Sequence, residues 1–240
     1  MQMALSVRIA ESHQDKRNTT AGLAELVEMA AANGYAALCM RASQVGVQST
    51  PEEATRAAML VADAGLATSM VTGDFAIPEN REAGPGALRN ITPYLDLAAR
   101  FDSDLLRISM QTEDDIVWAQ RACDEAAERG QRLAHQCHAG SPLEEIDETL
   151  RVVAAVGRAN FGVIYEPANL QLCRQDYLGA IDRLRPHTFN VYVQNQGLTA
   201  GGETSSLTWC CEEVRYDLVP MWQPGDIDFA AVIKRLAAAG

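Results

Sequence analysis

Residues 132 to 165 read RLAHQCHAGSPLEEIDETLRVVAAVGRANFGVIY, and they contain one complete unit of strand, helix and strand. The short runs Arg132–Gln136 and Gly162–Tyr165 predict two strands, since short runs with an apolar centre on either side of a helical stretch are typical of strands in a parallel sheet. Between them, Pro142–Val156 has apolar residues at helical spacing, and Gly157 follows as a helix-ending residue. Two strands joined by a helix predict a parallel pair.

The same alternation extends along the rest of the chain. The other predicted strands are Ala4–Ile9, Ala36–Met40, Ala67–Val71, Leu105–Ile108, Phe189–Gln194 and Leu218–Trp222. The other predicted helices are Thr20–Ala32, Pro51–Ala64, Ala87–Ala99, Glu113–Arg129, Arg174–Leu184 and Ile227–Ala238. About eight strands in this length predict one (β/α)8 TIM barrel over residues 1–240. An open doubly wound sheet is the alternative, although no GxGxxG follows the first strand to indicate a dinucleotide site.

One segment departs from this pattern. Asn195–Asp217 contains no clear helix, and its part Gly197–Ser206 is rich in glycine, serine and threonine. We expect a long mobile loop there, which in a barrel would lie over the carboxyl ends of the strands as a lid. The alternative is a disordered excursion without a role.

Composition limits the partners. The chain has 20 Lys and Arg against 32 Asp and Glu, and this net charge of −12 disfavours binding to nucleic acids or anionic membranes. No apolar run approaches the roughly 20 residues of a membrane span, and no signal peptide is recognised, so we expect a cytoplasmic protein. Six cysteines without zinc spacing predict free thiols. A small-molecule substrate is the expected partner, and a homo-oligomer is compatible with the sequence.

Polar residues cluster where the predicted strands end. Chemistry in a TIM barrel takes place at the carboxyl ends of its strands. Alternation along a strand puts Gln136 and His138 on one face, with His135 and Cys137 on the other. The remaining candidates at strand ends are Arg107, Glu166, Asn169, Tyr192, Gln194 and Trp222.

Four segments resemble a known family in order and spacing: Leu133–Gly140 (LAHQCHAG), Val163–Leu170 (VIYEPANL), Asn190–Gln196 (NVYVQNQ) and Pro224–Phe229 (PGDIDF). They look like the xylose-isomerase-like TIM-barrel family of sugar-phosphate isomerases and epimerases. The resemblance covers essentially the whole chain, and it implies the barrel fold together with a small-molecule site at the strand ends.

The resemblance also implies a metal site, from which this chain departs. The family usually binds a divalent cation through a Glu, an Asp, a His and a second Glu. Those positions fall on Gln136, Glu166, Tyr192 and Pro224, so one carboxylate remains and the imidazole is missing. Because hard cations prefer carboxylate oxygens and softer ones imidazole, bound Mn²⁺, Mg²⁺ or Zn²⁺ is disfavoured. Glu166, Gln136 and His138 would form the best remaining metal site.

The surviving residues suggest proton-transfer chemistry. Isomerisation next to a carbonyl needs a base, an acid and a group that stabilises the enolate. Glu166 is the candidate base and His138 the candidate acid, while Arg107 would bind an anionic oxygen. The residues expected to contact substrate are Arg107, Gln136, Asn169, Tyr192, Gln194 and Trp222. His135 is expected to be a packed residue.

Three functions remain open. The favoured one is an isomerase or epimerase acting on a small sugar-like or hydroxy-keto metabolite. The alternatives are a metal-independent lyase, dehydratase or other enzyme acting on a non-sugar metabolite, and a catalytically silent barrel that binds a metabolite. The DNA-repair endonucleases of this superfamily are excluded, since they need several metal-binding His and acidic residues and a basic surface, whereas this chain has four His in all.

Overall fold

A computed structural model describes residues 2–12, 15–73 and 83–239. The parallel strands are β1 (Ala4–Ser6), β2 (Ala37–Arg41), β3 (Ala67–Thr72), β4 (Leu105–Ile108), β5 (Arg132–Gln136), β6 (Phe161–Tyr165) and β7 (Thr188–Val191). The helices are α1 (Leu23–Ala32), α2 (Pro51–Asp63), α3 (Ala83–Arg89), α4 (Thr92–Arg100), α5 (Ile116–Glu128), α6 (Ile146–Val156), α7 (Pro167–Leu172), α8 (Tyr177–Leu184) and α9 (Phe229–Ala239). The strands follow one another in the sheet in chain order, which confirms the predicted TIM-barrel class. Within the described part of the chain, no helix is long and apolar enough to cross a membrane.

The chain forms two compact units. Met1–Ser109 and Arg121–Leu133 form the first unit, while Met110–Gln120 and Ala134–Gly240 form the second. Each unit has buried apolar side chains of its own, and burial of one large apolar side chain contributes about 1.5–3 kcal/mol. Fully buried side chains of the first unit include Leu38, Met40, Met70, Leu95 and Leu105, and those of the second include Phe161, Val163, Ile164 and Tyr165.

Helix α2 begins as its sequence predicts. Thr50 Oγ1 accepts the N–H of Glu53 at 3.2 Å, and Glu53 Oε2 accepts the N–H of Thr50 at 2.8 Å. Pro51 occupies the first turn, where its missing N–H costs nothing. The resulting capping box satisfies two backbone donors that the helix itself cannot.

Thr50→Ala should therefore destabilise the protein by about 1 kcal/mol. Equilibrium urea denaturation of the variant measures this loss. Thr199→Ala, at an exposed position, is the matched control, since the described hydrogen bonds of Thr199 are made by its backbone N–H and carbonyl. Equal stability of Thr50→Ala and wild type would contradict the capping role.

Several predicted boundaries are wrong, each for a local reason. The first strand stops at Ser6 rather than Ile9, because residues 7–10 turn into a 3₁₀ helix. The predicted helix Ala87–Ala99 is replaced by α3 and α4, and the second of these begins with Thr92-Pro93 in its first turn. Helix α7 is absent from the predicted elements, although proline at its first position favours a helix start.

The predicted long loop and the predicted eighth parallel strand are also wrong. Residues 196–218 instead form an antiparallel sheet of β8 (Gln196–Leu198), β9 (Thr204–Thr208) and β10 (Glu212–Leu218), in the order β8-β10-β9. Along β9 and β10 more buried and more exposed residues largely alternate, as expected for a sheet with one covered face. The predicted strand Leu218–Trp222 contains Pro220, which cannot donate to a strand ladder, and only Leu218 is in a strand.

Candidate active site

Glu166 lies at the junction of a buried strand and a short helix. All five residues of β6 are buried, and Glu166 follows them directly as the N-cap residue of α7. Pro167 starts the helix, so the chain turns sharply at this carboxylate. Glu166 is only 4% exposed, and burial of a charge requires polar partners.

Two amide side chains supply those partners. Glu166 Oε2 accepts hydrogen bonds from Gln136 Nε2 and from Asn169 Nδ2, the latter at 2.6 Å. Asn169 Oδ1 in turn accepts the N–H of Ala139 at 3.2 Å. Three buried side chains from the end of β5, the end of β6 and the first turn of α7 therefore form one hydrogen-bonded network. We call Gln136, Glu166 and Asn169 the carboxylate network.

Cys137 lies next to this network in sequence, but its thiol is a poor nucleophile. Its side chain is completely buried. Burial, and then the negative charge of Glu166, raise the pKa of the Cys137 thiol to about 12. Since the thiolate is the nucleophilic form, this cysteine is poorly reactive at neutral pH.

The two histidines of this segment differ in burial. His135 is fully buried, with Nδ1 at 2.6 Å from the Gln136 carbonyl and Nε2 at 3.3 Å from that of Met110. His138 is partly buried, and its Nδ1 lies 2.7 Å from the carbonyl oxygen of Ala139. A carbonyl accepts only, so the proton of a neutral His138 ring is on Nδ1 and Nε2 is the basic nitrogen.

The other predicted residues lie outside the carboxylate network. The Tyr192 N–H donates to the Tyr165 carbonyl at 2.9 Å, so its backbone runs beside the end of β6. Gln194 is partly buried, with Nε2 at 3.4 Å from Gln196 Oε1. Arg107 is a partly buried residue of β4 in the first unit, and Trp222 is 84% exposed. Because β7 ends at Val191, strand alternation does not govern Tyr192 and Gln194.

The motif near the end of the chain has a structural explanation. A Cβ on Gly225 would collide with the Asn195 side chain, so only glycine fits there. Asn195 Nδ2 donates to the carbonyls of Pro220 and Gln223, and Asp226 Oδ2 accepts the Leu198 N–H at 2.6 Å. Gly225 and Asp226 therefore hold the segment that follows β10 against β8 and the residue before it.

Sequence reasoning missed two buried polar residues in the second unit. Gln196 is fully buried, and its Nε2 donates to the Ala168 carbonyl at 2.9 Å and to Gln171 Oε1 at 3.0 Å. Glu144 is 3% exposed and accepts backbone N–H groups from distant parts of the chain. Glu144 lies within the predicted helix Pro142–Val156, and no motif distinguishes it from a surface carboxylate.

The residues at the family's metal positions do not fit a divalent cation. Glu166 is the only carboxylate among Gln136, Glu166, Tyr192 and Pro224, and its Oε2 faces two amide N–H groups. Gln136 therefore directs its nitrogen, not a ligating oxygen, at Glu166. Among the described residues, neither Glu166 nor His138 belongs to a group of three His, Cys, Asp or Glu able to hold a metal ion.

Comparisons with known proteins agree with this architecture. The structure is similar to the probable 3-DHS dehydratase AsbF of Bacillus anthracis (14% identity, TM-score 0.75, 99% of this chain and 89% of that one). It is also similar to a D-psicose 3-epimerase solved in the presence of D-fructose (14% identity, TM-score 0.66, 85% of this chain and 77% of that one). A third similar structure is a xylose isomerase-like TIM barrel protein of Mycobacterium smegmatis in complex with magnesium (14% identity, TM-score 0.70, 100% of this chain and 87% of that one). None of the curated proteins compared with the chain matches it. Residues 27–240 match the family model of the xylose isomerase-like TIM barrel, and the chain therefore belongs to that family.

Proposed function

We propose that this chain is an enzyme that moves a proton next to a carbonyl in a small sugar-like or hydroxy-keto metabolite, in an isomerase or epimerase reaction. The observation that carries the proposal is the carboxylate network at the carboxyl end of β6. Two amides hold one oxygen of a buried carboxylate, and active sites of TIM barrels lie at the carboxyl ends of their strands. A positioned carboxylate there is suited to general-base catalysis.

The proposed roles follow from the chemistry of enolisation. Glu166 accepts the proton from the carbon next to the carbonyl, and the electron pair of that C–H bond moves toward the carbonyl oxygen to give an enolate. In an epimerisation, His138, when protonated at Nε2, returns a proton to the same carbon from the opposite face. In an isomerisation the enolate oxygen takes up a proton to give an enediol, His138 protonates the former carbonyl carbon, and the hydroxyl on the carbon that lost its hydrogen gives up its proton to become the new carbonyl. Tyr192 and Gln194 donate hydrogen bonds to the enolate and to substrate hydroxyls, which stabilises the negative charge that develops there.

Loss of water is the second candidate reaction. The similarity to the probable dehydratase, over 99% of this chain, favours it, although that likeness concerns the fold. Dehydration of a β-hydroxy carbonyl compound also begins when a base removes the proton next to the carbonyl. The enolate then expels hydroxide, which leaves as water after protonation. Glu166 would perform the same first step in both reactions, so the two candidates differ only in the fate of the enolate.

Incubation in D₂O with a panel of small ketoses, aldoses and hydroxy-keto acids tests the proposal. Proton NMR measures exchange at the carbon next to the carbonyl, and absorbance of a conjugated product detects dehydration. We expect exchange into at least one compound, accompanied by an isomer, an epimer or an unsaturated product. Compounds that raise the melting temperature of the protein but show neither exchange nor product would overturn the proposal and identify a binding protein.

A further inference from the structure

A second cluster of chemically active side chains lies within the second unit. The carboxylate of Glu144 and the thiols of Cys173 and Cys210 each offer a ligand atom, and these atoms all lie within 4.8 Å of one another. Among the described residues, this is the group of three that meets the requirement for holding a metal ion. Cys173 is the residue that ends α7, whereas Glu166 begins that helix. We call Glu144, Cys173 and Cys210 the thiol cluster.

Backbone contacts hold the thiol cluster in place. The turn of residues 209–211 joins β9 to β10, and Glu144 accepts N–H groups from this turn: Trp209 at 2.8 and 3.0 Å, and Cys210 at 2.7 Å. Gly140 adds a third N–H at 2.7 Å, and a Cβ there would lie 2.8 Å from the Leu207 carbonyl oxygen. The approach of β9 to Gly140 therefore fixes the turn over Glu144.

The same approach brings the two thiols together. Cys210 Sγ lies 3.7 Å from the carbonyl oxygen of Cys173 and 3.4 Å from Cys211 Sγ. Cys173 packs with Ala139, Leu172 and Tyr216 in one apolar cluster, so it is fixed as well. Cys173 is buried whereas Cys210 is exposed, so an ion can enter from the side of Cys210.

Two thiols and a carboxylate suit a borderline-soft cation. Zinc takes four ligands in a tetrahedron, with Zn–S bonds of about 2.3 Å, which places two bound sulfurs about 3.8 Å apart. The ligand atoms of the cluster all lie within 4.8 Å of one another, so the two sulfurs can reach this separation through side-chain movements alone. Magnesium and calcium prefer oxygen ligands and are a poor match.

We propose that the thiol cluster binds one Zn²⁺-like cation through Cys173 Sγ, Cys210 Sγ and Glu144 Oε2, with water as the fourth ligand. Glu144 Oε2 would give up its longer contact with the Trp209 N–H, at 3.0 Å, and this N–H would keep its 2.8 Å bond to Oε1. Both cysteines give up a proton to solvent when the ion binds, so two protons leave for one divalent cation and the net charge of the cluster is unchanged. The bound ion would tie the β9–β10 turn to the end of α7. Because both thiols must lose a proton to bind the ion, the apparent affinity should rise with pH.

Titration of reduced, metal-free protein with Co²⁺ tests the proposal, because thiolate-bound tetrahedral Co²⁺ has intense visible and charge-transfer absorption. We expect saturation at one equivalent, and added Zn²⁺ should displace the cobalt and abolish the bands. Zn²⁺ alone should raise the melting temperature. Tryptophan fluorescence is a further readout, since Trp209 adjoins Cys210.

Cys210→Ser is the decisive variant, because Cys210 is exposed and its replacement should leave the fold intact. It should lose the cobalt bands and the Zn²⁺ stabilisation, and Cys173→Ser should do the same. Cys123→Ala, which removes a buried thiol from α5, should keep both. Absence of thiolate bands in the wild type, or bands in Cys210→Ser equal to those of the wild type, would overturn the proposal.

Discussion

Glu166→Gln is expected to lower the rate of carbon-bound proton exchange by about 10²- to 10⁴-fold, the usual contribution of a general base. Glutamine has the same shape, and its oxygen can still accept hydrogen bonds from Gln136 and Asn169 in place of the carboxylate oxygen. The variant therefore removes basicity while it keeps the geometry of the carboxylate network. Rates are measured by deuterium incorporation with the best compound from the panel.

The control for this experiment is Glu128→Gln, at an exposed position near the end of α5. It carries the same chemical change and should exchange as fast as the wild type. Melting curves of both variants check that the fold is kept. If Glu166→Gln exchanged protons at the wild-type rate, Glu166 would not be the base.

Arg41→Met is expected to destabilise the protein by about 3–5 kcal/mol, since removal of one partner of a buried ion pair leaves the other charge unpaired. The Arg41 and Glu11 side chains are 2% and 5% exposed, and Arg41 Nε lies 2.6 Å from Glu11 Oε1. Ser43 Oγ donates to the same oxygen at 3.0 Å. Among the described residues, no hydrogen-bond partner faces the buried Glu11 Oε2, so the carboxylate has little other compensation there. Equilibrium urea denaturation measures the change.

The double variant Glu11→Gln with Arg41→Met separates loss of the charge pair from loss of packing. It removes both charges, so it should recover part of the stability that Arg41→Met loses. A loss of less than about 1 kcal/mol in Arg41→Met, the range of an exposed ion pair, would show that this pair is not buried in solution.

The periodic parts of the fold could be predicted from the sequence. Apolar runs in the sequence predicted the bounds of β2 to β6 to within a residue or two. The helix-ending Gly157 has a φ of 58°, in the left-handed region that such a helix end requires. The antiparallel sheet could not be predicted in this way, because its strands are rich in Ser, Thr and charged residues, which also occur in loops. The apolar run after it has the composition of a strand, although Pro220 interrupts it.

The candidate site, like the fold, could be predicted from the sequence only in part. Gln136, Glu166 and Asn169 could be singled out from motifs at strand ends, and the structure brings them together. Glu144 could not, because its partners are the N–H groups of Trp209 and Cys210, 65 and 66 residues further along the chain. A carboxylate that binds backbone has no partner side chain, and so no pattern, in the sequence. The thiol cluster depends on the same long-range approach.

The most direct test of a carboxylate-centred reaction is the exchange rate after exhaustive chelation. The experiment uses the Cys210→Ser variant, so that metal bound at the thiol cluster does not contribute. We predict the same rate before and after chelation, and no increase when Mg²⁺, Mn²⁺ or Zn²⁺ is added back. Loss of exchange on chelation, with recovery on return of one of these ions, would contradict the account and place a catalytic cation at the family's metal positions.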